Sequence, residues 1–581
     1  MATSRRARRL ARLLLCGLTV AAGSAVADEA ADLVLTDALV YTMNEAEPWA
    51  EAIAIRDGRI IAVGSNRTVQ AHVGPRTEVR HLRGRMILPG FVDAHDHLLN
   101  GPAMRTGVSL EGAADLEEAL ERIRRYATAH SAERIVRGYG WSPALFGEDG
   151  PARRALDRAV PDRPAVLFDE DSHTIWMNSA AIAQSGLENL AAADPQLRRY
   201  VSWNEHGEPA GAVFEPAGIL PVLAALDWAQ WPQMGHDAFR RTVLRAPELG
   251  ITTFFDAGMI LPGRTDSVGD AFALLRELEQ TGSLPVRVSG SVVAPPGGDP
   301  ESVADEVLRL EAEYGSPLLS LRTIKVYVDG VTTYSTGGML TPYLDGGRGL
   351  RYFSDEELEA IVVAAERRGL SVHFHVDGDG AARQALDAID AAGETLGGLR
   401  GRHTLCHLTF VDPADLPRFA ELNVTANTTP VWTTNQGGWF DHMARLLPAS
   451  TVQRAFPFRE LLRHGARLTF GSDLPSSALA DLAPLRQIQY AVTRRPLDEG
   501  HSGYVPMLAG VMTVAEALRA YTLDGAYQLG IDHLTGSVET GKRADLVVLE
   551  RNLFTEPPET LHTVPVLLTL QGGRVTYPPG R

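Results

Sequence analysis

Cysteine is almost absent, with two residues in a chain of 581. Cys16 lies in an N-terminal segment with the features of a removable export signal, so Cys406 alone would remain in the mature protein. One thiol excludes an internal disulfide. The mature fold must therefore be stabilised by its own hydrophobic core, even in an oxidising compartment.

The N-terminal apolar run is too short to cross a bilayer. It spans about a dozen residues after "MATSRRARRLAR", whereas a membrane-spanning helix needs about 20. A basic start, a short apolar run and an Ala-x-Ala ending predict a secretory signal at 1–27, cleaved after Ala27, with a basic disordered tail as the alternative. We expect an exported protein, periplasmic or secreted, without a membrane partner after cleavage. Arg5 and Arg6 leave both Sec and Tat export open.

Positive charge is in the minority. Lys and Arg number 55 against 72 Asp and Glu, a net charge of −17. Loss of the signal, which carries five arginines and no acidic residue, would make the chain more acidic still. A field of this sign repels phosphates and argues against nucleic-acid and anionic-membrane partners. Internal repeats and low-complexity tracts are also lacking outside the signal, and the composition is that of a globular protein.

Short β-type segments separated by turn residues occupy both ends of the mature chain. The N-terminal part contains "DLVLTDALVYTM" and "AIAIRDGRIIAVG", and the C-terminal part ends with "TVPVLLTLQGGRVTYP". Runs of this kind joined by Asp-Gly and Gly-Gly turns are typical of antiparallel strands. We predict a small β-sandwich built from 28–88 and 536–581.

Between these ends, β-type and helical segments alternate. The first strand is expected in "ILPGFVDAHDH", and seven more at 250–258, 284–292, 321–330, 370–378, 402–410, 423–431 and 466–475. Eight β/α units predict an α/β fold, a TIM barrel over 89–535 whose reactive residues lie at the carboxyl ends of the strands. The long interval 100–248 predicts a subdomain inserted after the first strand.

Several of these strands alternate polar and apolar residues. Side chains two apart share a face of a strand, so His95 and His97 point one way while Val92 and Ala94 point the other. An unpaired buried charge costs several kcal/mol. Polar groups that converge on one barrel end can be satisfied together by a divalent metal.

The order of these residues resembles the amidohydrolase superfamily, in particular its family 3, which includes N-substituted formamide deformylase-like enzymes. The motifs that carry the resemblance are "PGFVDAHDH", "IKVYVDG", "HVDGD", "GSDLP" and "GSVETGKRADLVVL". The resemblance implies a metal-dependent hydrolase with one or two divalent ions per chain, zinc being the expected ion.

Residue by residue, the resemblance implies that His95 and His97 bind the first metal and that His375 and His407 bind the second. Lys325 would be carboxylated and bridge the two, with an unmodified, salt-bridged lysine as the alternative. Asp473 would contact the metal centre and act as general base. His373 shares a face with His375 and is the rival ligand there.

The sequence also departs from the family pattern. Cys406 stands where a glutamate is usual, and "NTTPVW" replaces a glutamine-proline pair. These changes flank the expected ligands and bear on substrate specificity. His173, in "DEDSHTIWMNS", and Trp432 are candidate substrate-binding residues.

Three functions remain open at this point. The first is hydrolysis of a C–N bond in a small-molecule amide, formamide or cyclic amide, by attack of a hydroxide bound to the metal with Asp473 as base. The second uses the same metals on an ester, carbamate or lactone. The third is an inactive relative that binds a ligand or regulates. The exposed terminal sandwich leaves a homodimer open.

Overall fold

The computed structural model describes residues 30–98, 101–147, 150–195, 197–226, 228, 231–258, 267–435, 438–497 and 510–578. The signal assigned to 1–27 lies outside the described residues and stays a prediction. Among the described helices, none combines the length and the apolar content that a membrane span requires.

Seven short strands open the described chain. They are β1 (Leu33–Thr36), β2 (Leu39–Tyr41), β3 (Trp49–Ala50), β4 (Ala52–Arg56), β5 (Arg59–Gly64), β6 (Glu78–His81) and β7 (Met86–Pro89), with helix α1 (Asn66–Gln70) between β5 and β6. Strands β5, β4, β1 and β6 form a four-stranded sheet in that order. Asp57 and Gly58 turn the chain between β4 and β5, both at positive φ, as the "RDGR" hairpin predicts.

The first strand of the barrel, β8 (Phe91–Asp96), leads into an inserted subdomain with a sheet of its own. Its strands are β9 (Val108–Ser109), β10 (Val136–Trp141), β11 (Ala165–Asp169), β12 (Thr174–Met177), β13 (Val201–Trp203) and β14 (Pro209–Phe214), in the order β13-β14-β12-β11-β10-β9. The helices of this interval are α2 (Gly101–Met104), α3 (Leu116–Ala129), α4 (Arg153–Ala159), α5 (Ser179–Ser185), α6 (Leu187–Ala193), α7 (Glu215–Ala225) and α8 (Trp231–Arg245). Phe239 and Val243 of α8 belong to the same buried cluster as the barrel strands.

The chain then supplies seven more barrel strands. They are β15 (Ile251–Asp256), β16 (Arg287–Val293), β17 (Leu319–Tyr327), β18 (Ser371–Val376), β19 (Thr404–His407), β20 (Thr425–Thr428) and β21 (Arg467–Phe470). With β8 they form one eight-stranded sheet in sequential order, and every pair in it is parallel. All eight predicted strands are present, and the predicted TIM barrel is confirmed.

Helices cover the outside of this sheet. They are α9 (Ser267–Gln280), α10 (Pro300–Tyr314), α11 (Asp355–Arg367), α12 (Asp379–Leu396), α13 (Arg418–Glu421), α14 (Trp439–Leu446), α15 (Ala449–Val452), α16 (Phe458–Arg463), α17 (Pro484–Thr493), α18 (Val514–Ala520) and α19 (Leu523–Gln528). Helix α11 shows how the sequence defines them. Ser354 and Glu357 form a capping box at its start, and Leu358, Ile361 and Val362 bury the face toward the strands.

The barrel closes where β21 meets β8. The amide of Asp473 donates to the carbonyl oxygen of His95 at 2.9 Å, and the amide of His97 donates to the carbonyl oxygen of Leu474 at 3.1 Å. Because these bonds join the carboxyl ends of the first and last strands, they bring the "DAHDH" and "GSDLP" segments side by side.

The C-terminal strands β22 (Leu546–Leu549), β23 (Val566–Gln571) and β24 (Arg574–Tyr577) return to the start of the chain. The resulting six-stranded sheet has the order β24-β23-β22-β7-β2-β3, so both ends of the chain contribute to it. Buried residues of this sheet and of the four-stranded sheet form one cluster, and the predicted sandwich from both termini is confirmed. A buried ion pair between Arg287 of β16 and Asp545, at 3.0 Å, connects it to the barrel.

Candidate metal centre

Three side chains from the two ends of the barrel sheet converge on one point. Nε2 of His95 lies 3.3 Å and Nε2 of His97 lies 3.5 Å from Oδ1 of Asp473. Ligand atoms about 2.0–2.1 Å from a tetrahedral zinc ion lie about 3.4 Å from one another. The two separations from Asp473 match this value, and all three ligand atoms lie within 4.8 Å of one another, so the group could hold one divalent ion.

The other ring nitrogens of the two histidines are engaged away from this point. Nδ1 of His97 lies 2.9 Å from the carbonyl oxygen of Gly258, a bond in which the ring must donate. Nδ1 of His95 lies 2.8 Å from Nε2 of His373. With the proton on Nδ1 in both rings, Nε2 keeps its lone pair for a metal, the arrangement usual for metal-binding histidines.

Two of the three atoms at the convergence point lack hydrogen-bond partners within the described residues. Nε2 of His95 and Oδ1 of Asp473 are buried and, within the described residues, accept or donate no hydrogen bond. Leaving buried polar atoms unsatisfied is costly. Orphaned donor atoms of nitrogen and carboxylate type, at this spacing, fit a divalent metal.

The predicted ligands of the second metal lie next to this group. Nδ1 of His407, the last residue of β19, is 3.8 Å from Oδ2 of Asp473. The ring centroids of His407 and His375 are 4.3 Å apart, and Nε2 of His375 lies 3.3 Å from the carbonyl oxygen of Gly330. The structure thus places His407 near Oδ2 of Asp473, and His375 packs against the ring of His407.

Lys325 lies fully buried in β17 at the same end of the barrel. Its Nζ is 3.4 Å from Sγ of Cys406 and 4.9 Å from the centre of the Tyr327 ring. Burial raises the pKa of the Cys406 thiol to about 12, so the sulfur is a neutral acceptor for the lysine. Cys406, His373 and His95 also place their ligand-type atoms within 4.8 Å of one another.

Burial also sets the protonation of the imidazoles. Burial lowers the pKa of five histidines at this barrel end, and the positive charge of Lys325 lowers it further. These histidines are His95, His97, His373, His375 and His407. Neutral imidazole is the form that binds metals. Burial raises the pKa of Asp473, an effect that His97, Lys325 and His173 oppose. A carboxyl held in this way is suited to exchange a proton.

A cavity of about 820 Å³ opens onto Asp473, His375 and His407. Trp432 lines it and stacks on His407, with ring centroids 5.4 Å apart and planes 27° apart. His173 lines it from the inserted subdomain, its ring centroid 5.4 Å from that of His375. The structure therefore brings both candidate substrate-binding residues into the cavity that Asp473, His375 and His407 also line.

His173 has a partner that the sequence did not reveal. Its Nδ1 lies 2.7 Å from Oε2 of Glu215, which is 1% exposed. Burial lowers the pKa of His173, but Glu215, Asp169 and Asp171 together raise it to about 9. Glu215 follows β14 directly and adopts a positive φ of 58°. In the sequence, the one indication of a functional role for Glu215 was its position between an apolar strand and Pro216.

The approach of Gly471 to His95 gives a first prediction. A Cβ on Gly471 would lie 2.4 Å from the carbonyl oxygen, 2.5 Å from Cβ and 2.6 Å from the nitrogen of His95. Because the strand backbone cannot yield, we expect Gly471→Ala to cost about 3 kcal/mol of unfolding free energy, measured by denaturant titration. Gly147→Ala is the matched control, since a Cβ there meets nothing within 4 Å; equal stability of the two variants would contradict the expectation.

Comparisons with known proteins agree with this fold. The chain is 28% identical over 560 residues to Protein LONG AFTER FAR-RED 3 of Arabidopsis thaliana, covering 94% of this chain and 92% of that protein. It is 27% identical to N-substituted formamide deformylase of Arthrobacter pascens, covering 94% and 98% of the two chains. The crystal structure of an uncharacterized metal-dependent hydrolase from Pyrococcus horikoshii superposes with a TM-score of 0.67 at 21% identity, covering 90% of this chain and 99% of that one; this likeness concerns the fold.

The family model described as "Amidohydrolase family" matches residues 78–577. This match spans most of the chain, from the start of β6 to the end of β24, and includes every predicted metal ligand. The chain belongs to the amidohydrolase family.

Proposed function

We propose that the protein hydrolyses a C–N bond in a small-molecule amide, formamide or cyclic amide. The reaction would use a divalent metal at the barrel mouth, either zinc or an ion with a similar preference for nitrogen and oxygen ligands. The observation that carries this proposal is the convergence of His95, His97 and Asp473 at separations of 3.3 and 3.5 Å. Membership of a family of metal-dependent hydrolases supports the hydrolytic class.

The residues divide into two sets of ligands. His95, His97 and Asp473 would hold the first ion. His407 and His375 would contribute to a second ion, with carboxylated Lys325 as the bridging group. The neutral state of the five imidazoles favours this use, since protonated rings would repel a cation.

When bound, the metal supplies a Lewis acid that polarises a carbonyl group and lowers the pKa of water. Asp473 is the base in this proposal: its buried carboxylate accepts a proton from the attacking water and passes it to the leaving nitrogen. The hydrogen bond from its own amide to His95 fixes its main chain. Burial raises the pKa of Asp473, which suits a carboxyl group that takes up and releases a proton during the reaction.

Two residues would position the substrate. Trp432, stacked on His407, presents the face of an aromatic ring to the cavity and can pack on an apolar group. His173, held at Nδ1 by Glu215, keeps Nε2 for the substrate. Both roles follow from their position in the cavity that contains Asp473.

The C–N bond is preferred over an ester on the strength of one relative. The Arthrobacter protein is named for its action on N-substituted formamides, and the two chains align over nearly their full lengths. We further propose that the mature protein is exported, by Sec or Tat, and that it acts without nucleic acid or membrane partners, with a homodimer left open.

The test compares an amide with its matched ester. We expect metal-loaded protein to hydrolyse N-benzylformamide with kcat/KM of at least about 10⁴ M⁻¹s⁻¹, measured by formate release. Benzyl formate is the matched ester. Turnover of the ester alone would replace the proposal with the ester alternative, and turnover of neither, with metal bound, would favour an inactive binding or regulatory protein.

A further inference from the structure

The active-site cavity is lined by a second tryptophan besides Trp432. Trp439 is the first residue of α14; it lines this cavity, and its side chain is only partly buried. Trp432 stacks on His407, whereas the ring contacts of Trp439 within the described residues are with phenylalanines. Trp439 therefore lies farther from the His407 ring than Trp432 does.

Hydrogen bonds at the start of helix α14 hold Trp439 in position. Oδ1 of Asn435 accepts a hydrogen bond from the amide of Phe440 at 2.9 Å, which satisfies one of the free amides of the first helical turn. Nε2 of His442 lies 2.9 Å from the carbonyl oxygen of Thr333, a residue that also lines the cavity. A side chain that is held in this way before binding loses little conformational freedom when a ligand packs on it.

Phe456 supports Trp439 and has an unfavourable backbone conformation. The centroids of the two rings are 5.1 Å apart, and Phe456 adopts a positive φ of 55°, which is costly for a residue with a side chain. Two hydrogen bonds maintain this turn. The amide of Phe456 donates to the carbonyl oxygen of Thr409 at 2.8 Å, and the buried guanidinium of Arg494 donates to the carbonyl oxygen of Phe456 at 3.2 Å. Backbone strain maintained by surrounding contacts is concentrated at active sites and ligand-binding segments.

The cavity is larger than a substrate with a single ring requires. Its volume of about 820 Å³ is in the range of sites that hold drug-sized ligands, roughly 300–1,000 Å³. The metal ligands contribute polar groups to its wall, whereas Trp439 and Leu145 of the inserted subdomain, both partly buried, contribute apolar ones. Apolar surface that faces water is unfavourable, so a ligand that covers these two side chains would gain binding energy.

We propose that Trp439 and Leu145 form an apolar subsite for the distal part of the substrate, which is then an amide with an aromatic group longer than a single benzyl ring. Trp432 would contact the ring nearest the scissile bond, and Trp439 would contact the ring beyond it. This inference rests on the proposed function, because it assigns specificity to the cavity in which that reaction would occur. Binding energy from a distal ring can raise kcat/KM without any change at the reacting atoms.

The first test uses two formamides of different length with the metal-loaded protein. We expect kcat/KM for N-(4-phenylbenzyl)formamide to exceed that for N-benzylformamide about 10-fold. The ratio should fall toward one in Trp439→Leu, which removes the aromatic ring, and should be largely retained in Trp439→Phe. Trp49→Leu makes the same change at a tryptophan that is 46% exposed on the terminal sheet and should leave the ratio unchanged. Equal rates for the two substrates, or a preference that persists in Trp439→Leu, would overturn the inference.

A binding measurement separates this inference from the hydrolytic function. Calorimetry compares 4-phenylbenzyl alcohol with benzyl alcohol on metal-loaded and metal-free protein. We expect the longer alcohol to bind about 10-fold more tightly than the shorter one to both forms of the wild type, and nearly equally with it to Trp439→Leu, whose fold is checked by thermal unfolding. This outcome supports the subsite even if neither formamide is hydrolysed. Equal binding of the two alcohols to the wild type, or a preference that disappears when the metal is removed, would contradict it.

Discussion

Asp473→Asn is expected to lower kcat/KM for N-benzylformamide by about 10³-fold. The amide of asparagine is nearly the same size as the carboxylate and can still bind a metal through its oxygen, but it cannot accept a proton. Its oxygen would retain the position 3.3 Å from His95 and 3.5 Å from His97. The loss should therefore appear in kcat, with metal content measured on the same samples by mass spectrometry.

Two controls define this result. Asp57→Asn makes the same chemical change at an exposed turn of the terminal sheet and should retain full activity. Thermal unfolding should show that the Asp473→Asn variant remains folded. Activity within about 10-fold of the wild type, with metal bound, would remove Asp473 from the role of base.

The convergence of His95, His97 and Asp473 was predictable because a parallel barrel brings all carboxyl strand ends to one rim. Period-two alternation identified the inward faces, and the strand order determined that the first and eighth strands meet. In the structure, backbone hydrogen bonds between Asp473 and His95 and between His97 and Leu474 join the two strand ends. The sequence alone was sufficient for these residues because their positions depend on the regular part of the fold.

Strand alternation alone could not choose between His373 and His375, and His375 was preferred only because the "VDGD" that follows it resembles the family motif. Both lie on one face of β18, and both are buried. The structure separates them by their neighbours: His373 bonds to Nδ1 of His95, whereas His375 packs on His407. This difference arises from the stagger of adjacent strands and from ring rotation, neither of which alternation determines.

The partners within the inserted subdomain were also beyond the sequence. His173 and Glu215 are 42 residues apart and meet because β12 and β14 pair antiparallel, with Thr174 opposite Phe214. The register of such short strands depends on contacts that no local pattern encodes. The segment "DED" before His173 was visible, but its position in the cavity wall depends on how the subdomain covers the barrel.

His97→Ala is expected to remove most of the bound metal and, with it, the stability that metal binding provides. Among the three convergent ligands, His97 is the one that is partly exposed, so truncation there creates the smallest cavity in the core. A ligand present at about 1,000 times its dissociation constant stabilises a fold by about 4 kcal/mol. We therefore expect zinc to raise the Tm of metal-free wild-type protein by several degrees or more and to leave that of His97→Ala nearly unchanged.

His464→Ala is the matched control, because His464 is exposed at the end of α16 and far from the barrel mouth in the fold. It should bind zinc and gain stability as the wild type does. His97→Gln, which keeps a polar side chain, should also lose most of the metal if the imidazole Nε2 is the ligand. Metal content and zinc-dependent Tm that are unchanged in both His97 variants would show that the ion is held elsewhere. Since Nδ1 of His97 bonds to Gly258, such a result would make the ring a structural element of the strand end, and the centre would then have to be rebuilt around His375, His407 and Asp473.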